Sequence, residues 1–235
     1  STGEERTELQ MRLIEALAER AEAVDAERPM VVEALQRLTA DEEYLVRRHA
    51  AAALRRLGLP APPIGAASDS RTLATYRDIV QRTARERWAR IETARGAIDL
   101  RLACPDAPLT CLSFLQLAEQ RFYDGLPFHR VVPDFVVQAG DPSGGGWGGP
   151  GYTLRDEINR LRFDSGVVGM AHAGPDTAGS QFFVTLSPQP HLDGAYTAFG
   201  RVERGFEHLR ALQQEDVILT IREIPPPAGS GREVG

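Results

Sequence analysis

The hydrophobic period of the chain changes near residue 88, and that change limits the possible folds more than any other feature. Beyond it, Ala89-Arg-Ile-Glu-Thr93 and Gly96-Ala-Ile-Asp-Leu-Arg-Leu102 alternate apolar with polar residues, the two-residue period of half-buried strands. The segment Ala94–Gly96 between them reads as a hairpin turn. Short strand-like runs recur at 128–137, 152–155, 167–173, 181–186, 197–202 and 217–224, separated by Gly, Pro, Asn and Asp. Two helical stretches interrupt them: one capped by Thr110 and running through Gln120, the other over 205–213. Two helices are too few for a layered α/β fold. Short, evenly spaced strands instead predict a mainly β protein, a closed or nearly closed antiparallel barrel.

Before residue 88 the period is helical. Residues 4–27 carry Leu9, Leu13, Leu17 and Val24 at helical spacing, with Ala16 and Ala21, and Arg28-Pro29 ends that run. A short helix over Met30–Leu38 follows. Thr39-Ala-Asp-Glu42 matches a capping box for a third helix, whose stripe of Val46, Ala50, Ala53, Leu54 and Leu57 stops at Gly58. The stretch DEEYLVRRHAAAALRRLG resembles the second half of a HEAT-type helical repeat. One such unit cannot bury both of its faces. Residues 1–58 are therefore expected to dock a protein partner or the rest of a longer parent chain. Residues 59–70, LPAPPIGAASDS, read as a linker, 71–87 as a connecting helix, 88–225 as the β domain and 226–235 as a flexible tail.

Composition removes several functions. Net charge is −6, every one of the 27 basic residues is arginine, and no basic run marks a nucleic-acid surface. No apolar stretch approaches the 18 residues or so of a membrane span. Cys104 and Cys111 form no disulfide framework, although a bond between them stays open in an oxidising compartment. The histidines show no HExxH spacing, and Ser180 lies in no GxSxG elbow. The loop GDPSGGGWGGPG has the glycines of a phosphate cradle but lacks the Lys-Ser/Thr that completes one. What remains is Arg121–Gly151, where Arg130 leads an apolar run ending in Gln138, together with a small-residue strand and the pair Phe182-Phe183. Such residues suit a groove that holds an extended peptide and one ring-sized side chain.

Three blocks, FHRVVPDFVVQAGDP, MAHAGPDTAGSQFF and HLDGAYTAFGRV, resemble in order and spacing the signatures of the cyclophilin-type peptidyl-prolyl cis-trans isomerases, and the likeness runs from about Trp88 to Ile224. It implies a closed eight-stranded cyclophilin-like barrel capped by two helices. It also implies an enzyme that accelerates rotation about X-Pro bonds in polypeptides and needs no cofactor. By the same resemblance Arg130 is catalytic and Gln138 orients it. Phe135, Val136, Phe183 and Leu192 line the proline pocket, and Gln181 lies on the groove floor. Ala171 and His172 belong to the strand that pairs with substrate backbone. Two positions depart from the common pattern. His191 stands where many members have a tryptophan that contacts cyclosporin, which implies weakened drug binding, and Tyr196 replaces a pocket histidine. A catalytically weak proline-binding module is the alternative. The compartment stays open.

Overall fold

Proline and glycine mark the helix boundaries of the first sixty residues. The computed structural model describes residues 3–41, 44–62, 64, 72–146 and 148–227, and the chain divides into two units, 1–69 and 70–235. In the first, α1 (Gly3–Ala23) is followed by α2 (Arg28–Leu38), which carries Pro29 in its first turn, where a missing N–H costs nothing. The third helix, α3 (Tyr44–Arg56), ends with Gly58 at φ +74°, and the Leu59 amide reaches back to the Leu54 carbonyl at 2.9 Å. That is a glycine-closed helix end of the expected kind. Ile14, Ala18 and Ala21 pack on Val31, Leu35, Val46, Ala50, Ala53, Leu54 and Leu57.

Two local expectations change. The buried stripe of α1 is Ile14–Ala18–Ala21, whereas Leu9 and Leu13 are 68% and 53% exposed. Alanines let α1 approach its neighbours closely, and that approach selects the face. The Thr39 hydroxyl donates to the Gln36 carbonyl at 2.7 Å, closing α2, while Glu42, the other half of the expected capping box, lies outside the described residues. Most of the linker, Trp147 and residues 228–235 of the tail lie outside them too.

In the second unit α4 (Leu73–Arg82) is capped by Thr72, whose hydroxyl accepts from the Thr75 amide at 3.2 Å. It is shorter than the expected 71–87. Arg87 and Trp88 already belong to β1 (Arg87–Thr93), because their partners Leu102 and Arg101 extend the ladder with β2 (Gly96–Leu102) that far. Then come α5 (Pro108–Glu119), β3 (Arg130–Val132), β4 (Val136–Ala139), β5 (Val167–Met170), β6 (Phe182–Thr185), β7 (Ala198–Arg204), α6 (Phe206–Arg210) and β8 (Ile218–Ile224). The described strands form one antiparallel sheet in the order β3-β4-β6-β5-β7-β2-β1-β8.

The sheet curls but is not a closed barrel. Among the described residues no ladder joins its end strands β3 and β8. Instead the segment before β3 meets the start of β8 around the bridge Pro127–Val217: the Gly125 amide donates to the Ile218 carbonyl at 2.7 Å, the Ile218 amide to Leu126 at 2.9 Å, the Phe128 amide to Asp216 at 2.8 Å and the Glu215 amide to Phe128 at 3.1 Å. The pairing goes no further because β3 is only three residues long and turns at once into β4.

Alternation along the strands sorts two cores. Val137, Ala139, Val168, Met170, Phe182 and Val184 face the main one, where Phe114 of α5 meets Tyr123, Phe182 and Phe199 at centroid distances of 5.3, 5.4 and 5.4 Å. Val136, Val167 and Phe183 face the other side. Both cysteines are free and fully buried.

The exit from α5 yields a test. Arg121 closes the helix at φ +57°, with the Phe122 amide on the Leu117 carbonyl at 2.9 Å. A non-glycine residue there bears a left-handed penalty of ~1–2 kcal/mol, while glycine adds back ~0.4–1 kcal/mol through the unfolded chain. Arg121→Gly is thus expected to raise stability by about 0.5–1 kcal/mol in urea denaturation; a drop would mean that the arginine side chain contributes more than its backbone costs.

Candidate active site

Four residues from four neighbouring strands stand in one transverse row. Arg130 of β3 is opposite Gln138 of β4, Gln138 is opposite Phe183 of β6, and Phe183 is opposite Gly169 of β5. Because side chains alternate, register alone places all four on the face away from the main core. Gly169 contributes an absence. A Cβ there would overlap both Phe183 and Phe163, whose rings stack at 5.5 Å and 26°. The bare position lets the phenylalanines lie down as a floor.

Around that floor, Val136, Phe163, Val167, Phe183, Leu192 and Ala198 form a buried cluster, with Phe135, Ala171 and Tyr196 packed at its margin. Tyr196 meets Phe183 edge-on at 5.6 Å and stacks on His172 at 4.3 Å and 18°. His172 Nδ1 accepts from the Gly174 amide at 3.1 Å, so the ring proton sits on Nε2, which donates to the Ala195 carbonyl at 3.0 Å. Tyr196 and His172 therefore support each other at the groove wall. At the opposite rim the Arg130 guanidinium lies 5.3 Å from the Phe135 ring centroid, a cation–π contact, and exposed His191 stacks on the same ring at 5.8 Å. Among the described residues Arg130 makes no ion pair. Its charge stays available to whatever enters the groove.

The polar floor is a short relay. Gln138 Nε2 donates to Gln181 Oε1 at 3.0 Å, and Gln181 Nε2 donates to the carbonyls of Gly146 and Gly148 at 3.0 and 2.9 Å. The Gln181 carbonyl accepts from the Ala171 amide at 2.9 Å, so that amide is already used. Contacts and strand register thus link all eleven residues expected from the sequence. Sequence reasoning missed Phe163, Gly169 and Asp141. Phe163 sits in the unremarkable stretch Leu-Arg-Phe-Asp and is held by its amide on Asp193 Oδ1 at 2.8 Å. Asp141 accepts hydrogen bonds from Ser143 and Gly146 of the glycine loop. His129, adjacent to Arg130, is half-buried, and burial lowers its imidazole pKa against the opposing pull of Asp141 and Glu215.

The profile of the family described as "Cyclophilin type peptidyl-prolyl cis-trans isomerase/CLD" matches residues 88–226, more than half of the chain. The chain belongs to this family. As a cyclophilin it is a peptidyl-prolyl cis-trans isomerase, and its reaction is rotation about X-Pro peptide bonds. Over 140 residues it is 46% identical to the peptidyl-prolyl cis-trans isomerase of Synechococcus elongatus, covering 59% of this chain and 97% of that one. It is 48% identical to peptidyl-prolyl cis-trans isomerase B of Bacillus subtilis over 53% of this chain and 89% of that one. A solved cyclophilin-type isomerase of Cryptosporidium parvum superposes with a TM-score of 0.58 at 34% identity, covering 61% of this chain and all of that one. The same protein has been solved in the presence of the dipeptide Ala-Pro, with a TM-score of 0.56 at 34% identity over 59% of this chain and 99% of that one. The mainly β fold of this cyclophilin is that of its relatives.

Proposed function

We propose that the groove takes proline-containing polypeptide segments, seats the prolyl ring among Phe135, Val136, Phe183, Leu192 and Tyr196, and uses Arg130 to stabilise the twisted amide. The supporting observation is the guanidinium of Arg130, which forms no ion pair among the described residues and is held against Phe135 beside the apolar cluster of Val136, Phe183 and Leu192. Rotation about the bond must cross roughly 18–20 kcal/mol because amide resonance resists it. At the top of that barrier resonance is lost, and the prolyl nitrogen becomes pyramidal and carries a localised lone pair. An N–H donor aimed at that nitrogen binds the twisted form better than the planar one, which is what lowers a barrier. Arginine suits the task because it stays charged and its donors are held in a rigid plane. No proton is transferred overall.

Gln138 orients Arg130 and the substrate carbonyl, and Gln181 supports it. His172 pairs through its main chain with the substrate backbone, since the Ala171 amide is occupied. The catalytic domain occupies 88–225. The helical segment 1–58 docks a protein partner or the rest of a longer parent chain, a reading supported by Leu9, Leu13 and Met30, which are 68%, 53% and 67% exposed. No helix among the described residues is long and apolar enough to cross a membrane. A protease-coupled prolyl-peptide assay of wild type and Arg130→Ala tests the catalytic reading; equal rates would end it.

Cyclosporin binding is expected to be weak, because an exposed imidazole stands where an indole would cover the drug. His191→Trp should tighten it by roughly five- to tenfold, the worth of about one added aromatic contact. Calorimetric titration of both proteins decides; unchanged affinity would mean that this position does not meet the drug.

A further inference from the structure

We propose that Asp141 is a positioning residue for the isomerase reaction, acting through the glycine loop and Gln181 to fix which end of the Gln138 amide faces Arg130. The inference rests on the reading of Arg130 and Gln138 as the polar heads of the site. Asp141 is fully buried and lies outside the groove. Its Oδ1 accepts from the amide and hydroxyl of Ser143 at 2.7 and 2.8 Å, and its Oδ2 accepts from the Gly146 amide. Three donors satisfy one buried carboxylate, and charge-assisted bonds of this kind are the strong ones. Gly148 closes the loop over it. A Cβ at Gly148 would overlap Oδ1, so the loop can settle on the carboxylate only with glycine there.

Held in this way, the loop turns the carbonyls of Gly146 and Gly148 toward Gln181. The rest follows from donor and acceptor chemistry. A primary amide has two N–H donors at one end and an oxygen at the other. Two carbonyls can meet only the Nε2 end of Gln181, so its Oε1 must face Gln138. Gln138 must then offer Nε2 to that oxygen, as it does at 3.0 Å, and turn its own Oε1 away. Gln138 stands opposite Arg130 in the β3–β4 register, and in this proposal its Oε1 is the acceptor left for the guanidinium or a substrate N–H. If the loop lifts, both amides can invert, and Gln138 then offers an NH₂ group beside a cation. The carboxylate thus sets the polarity of a site it never touches.

The test is a double-mutant cycle on the full chain, read as kcat/KM in the protease-coupled assay. Asp141→Asn keeps the size and the Oδ1 acceptor but sets an NH₂ against the Gly146 N–H. It is expected to lower kcat/KM about five- to thirtyfold, mostly in kcat. Gln181→Ala should cost a similar factor, and the double variant should fall no more than about twofold below Gln181→Ala alone, because both break one chain of bonds. Losses that multiply would overturn the proposal. Should Asp141→Asn fail to fold, Gly148→Ala pushes the loop off the carboxylate from outside, and the same non-additivity with Gln181→Ala is expected. The side-chain amide resonance of Gln138 gives a readout that a merely structural role would not move: it should shift in Asp141→Asn and in Gly148→Ala. An unshifted resonance accompanying lost activity would also overturn the proposal. By contrast, Arg130→Ala at the wild-type rate would remove the catalytic reading beneath it, so the two failures are distinguishable.

Discussion

Arg130→Ala is expected to lower kcat/KM by about 10²–10³, the range found when one preorganised donor is removed from an electrostatically stabilised transition state. By the usual conversion that is roughly 2.7–4 kcal/mol of barrier. Most of the loss should fall on kcat, because the donor bonds to a lone pair that exists only in the twisted amide. Arg130→Lys separates charge from shape. It keeps a cation but replaces the planar fork by a point charge on a flexible stem, so a loss of about tenfold is expected. Folding should be unaffected by either change, since Arg130 is exposed and forms no ion pair among the described residues. Progress curves from the coupled assay, with thermal melts as a control, check all three statements. A lysine variant as slow as the alanine one would show that geometry, and not charge, supplies nearly the whole effect.

The second large effect is on stability. Glu157 caps α5 from a distance: its carboxylate accepts from the Leu109 amide at 2.9 Å and from the amide and hydroxyl of Thr110, both at 2.8 Å. A helix N-terminus leaves several N–H groups without internal partners, and a carboxylate there also meets the positive end of the helix dipole. In Glu157→Ala those donors lose their acceptor in a partly buried place. Discounted for that partial exposure, the loss is expected to be about 2–4 kcal/mol. For a unit of this size that lowers the melting temperature by roughly 5–15 °C. Glu157→Gln retains one oxygen acceptor and should cost about half as much. Thermal denaturation followed by circular dichroism measures both. A shift of under about 2 °C for the alanine variant would mean that the helix start is held by packing alone.

Glu157 also shows where local reasoning stops. The sequence predicts a helix capped by Thr110. The helix in fact begins at Pro108, Thr110 lies inside its first turn, and the cap comes from 47–48 residues further along the chain. Thr110 was a reasonable expectation, because its hydroxyl is the nearest local acceptor; it acts instead as a donor to Glu157. A similar limit applies to α1. Helical spacing showed that one face is apolar, but Leu9–Leu13 and Ile14–Ala18–Ala21 are both apolar stripes, and only close approach of α2 and α3 decides between them.

The sequence by itself determined the direction in which each strand residue points. A period of two sends Phe182 to the core and Phe183 to the groove wherever the strand lies, and the same parity puts Val136 and Gln138 on one face and Val137 on the other. It also determined the turn at Gly58 and, through three motif blocks in order, the family. Tertiary structure alone decided what stands beside what. Register across β3, β4, β6 and β5 lines up Arg130, Gln138, Phe183 and Gly169. The bareness of Gly169 matters only because Phe163 and Phe183 converge on it, and Asp141 matters only because a loop folds down onto its carboxylate. Local pattern fixes side-chain direction through backbone geometry, whereas neighbours are chosen by the packing of distant segments, which no local pattern encodes.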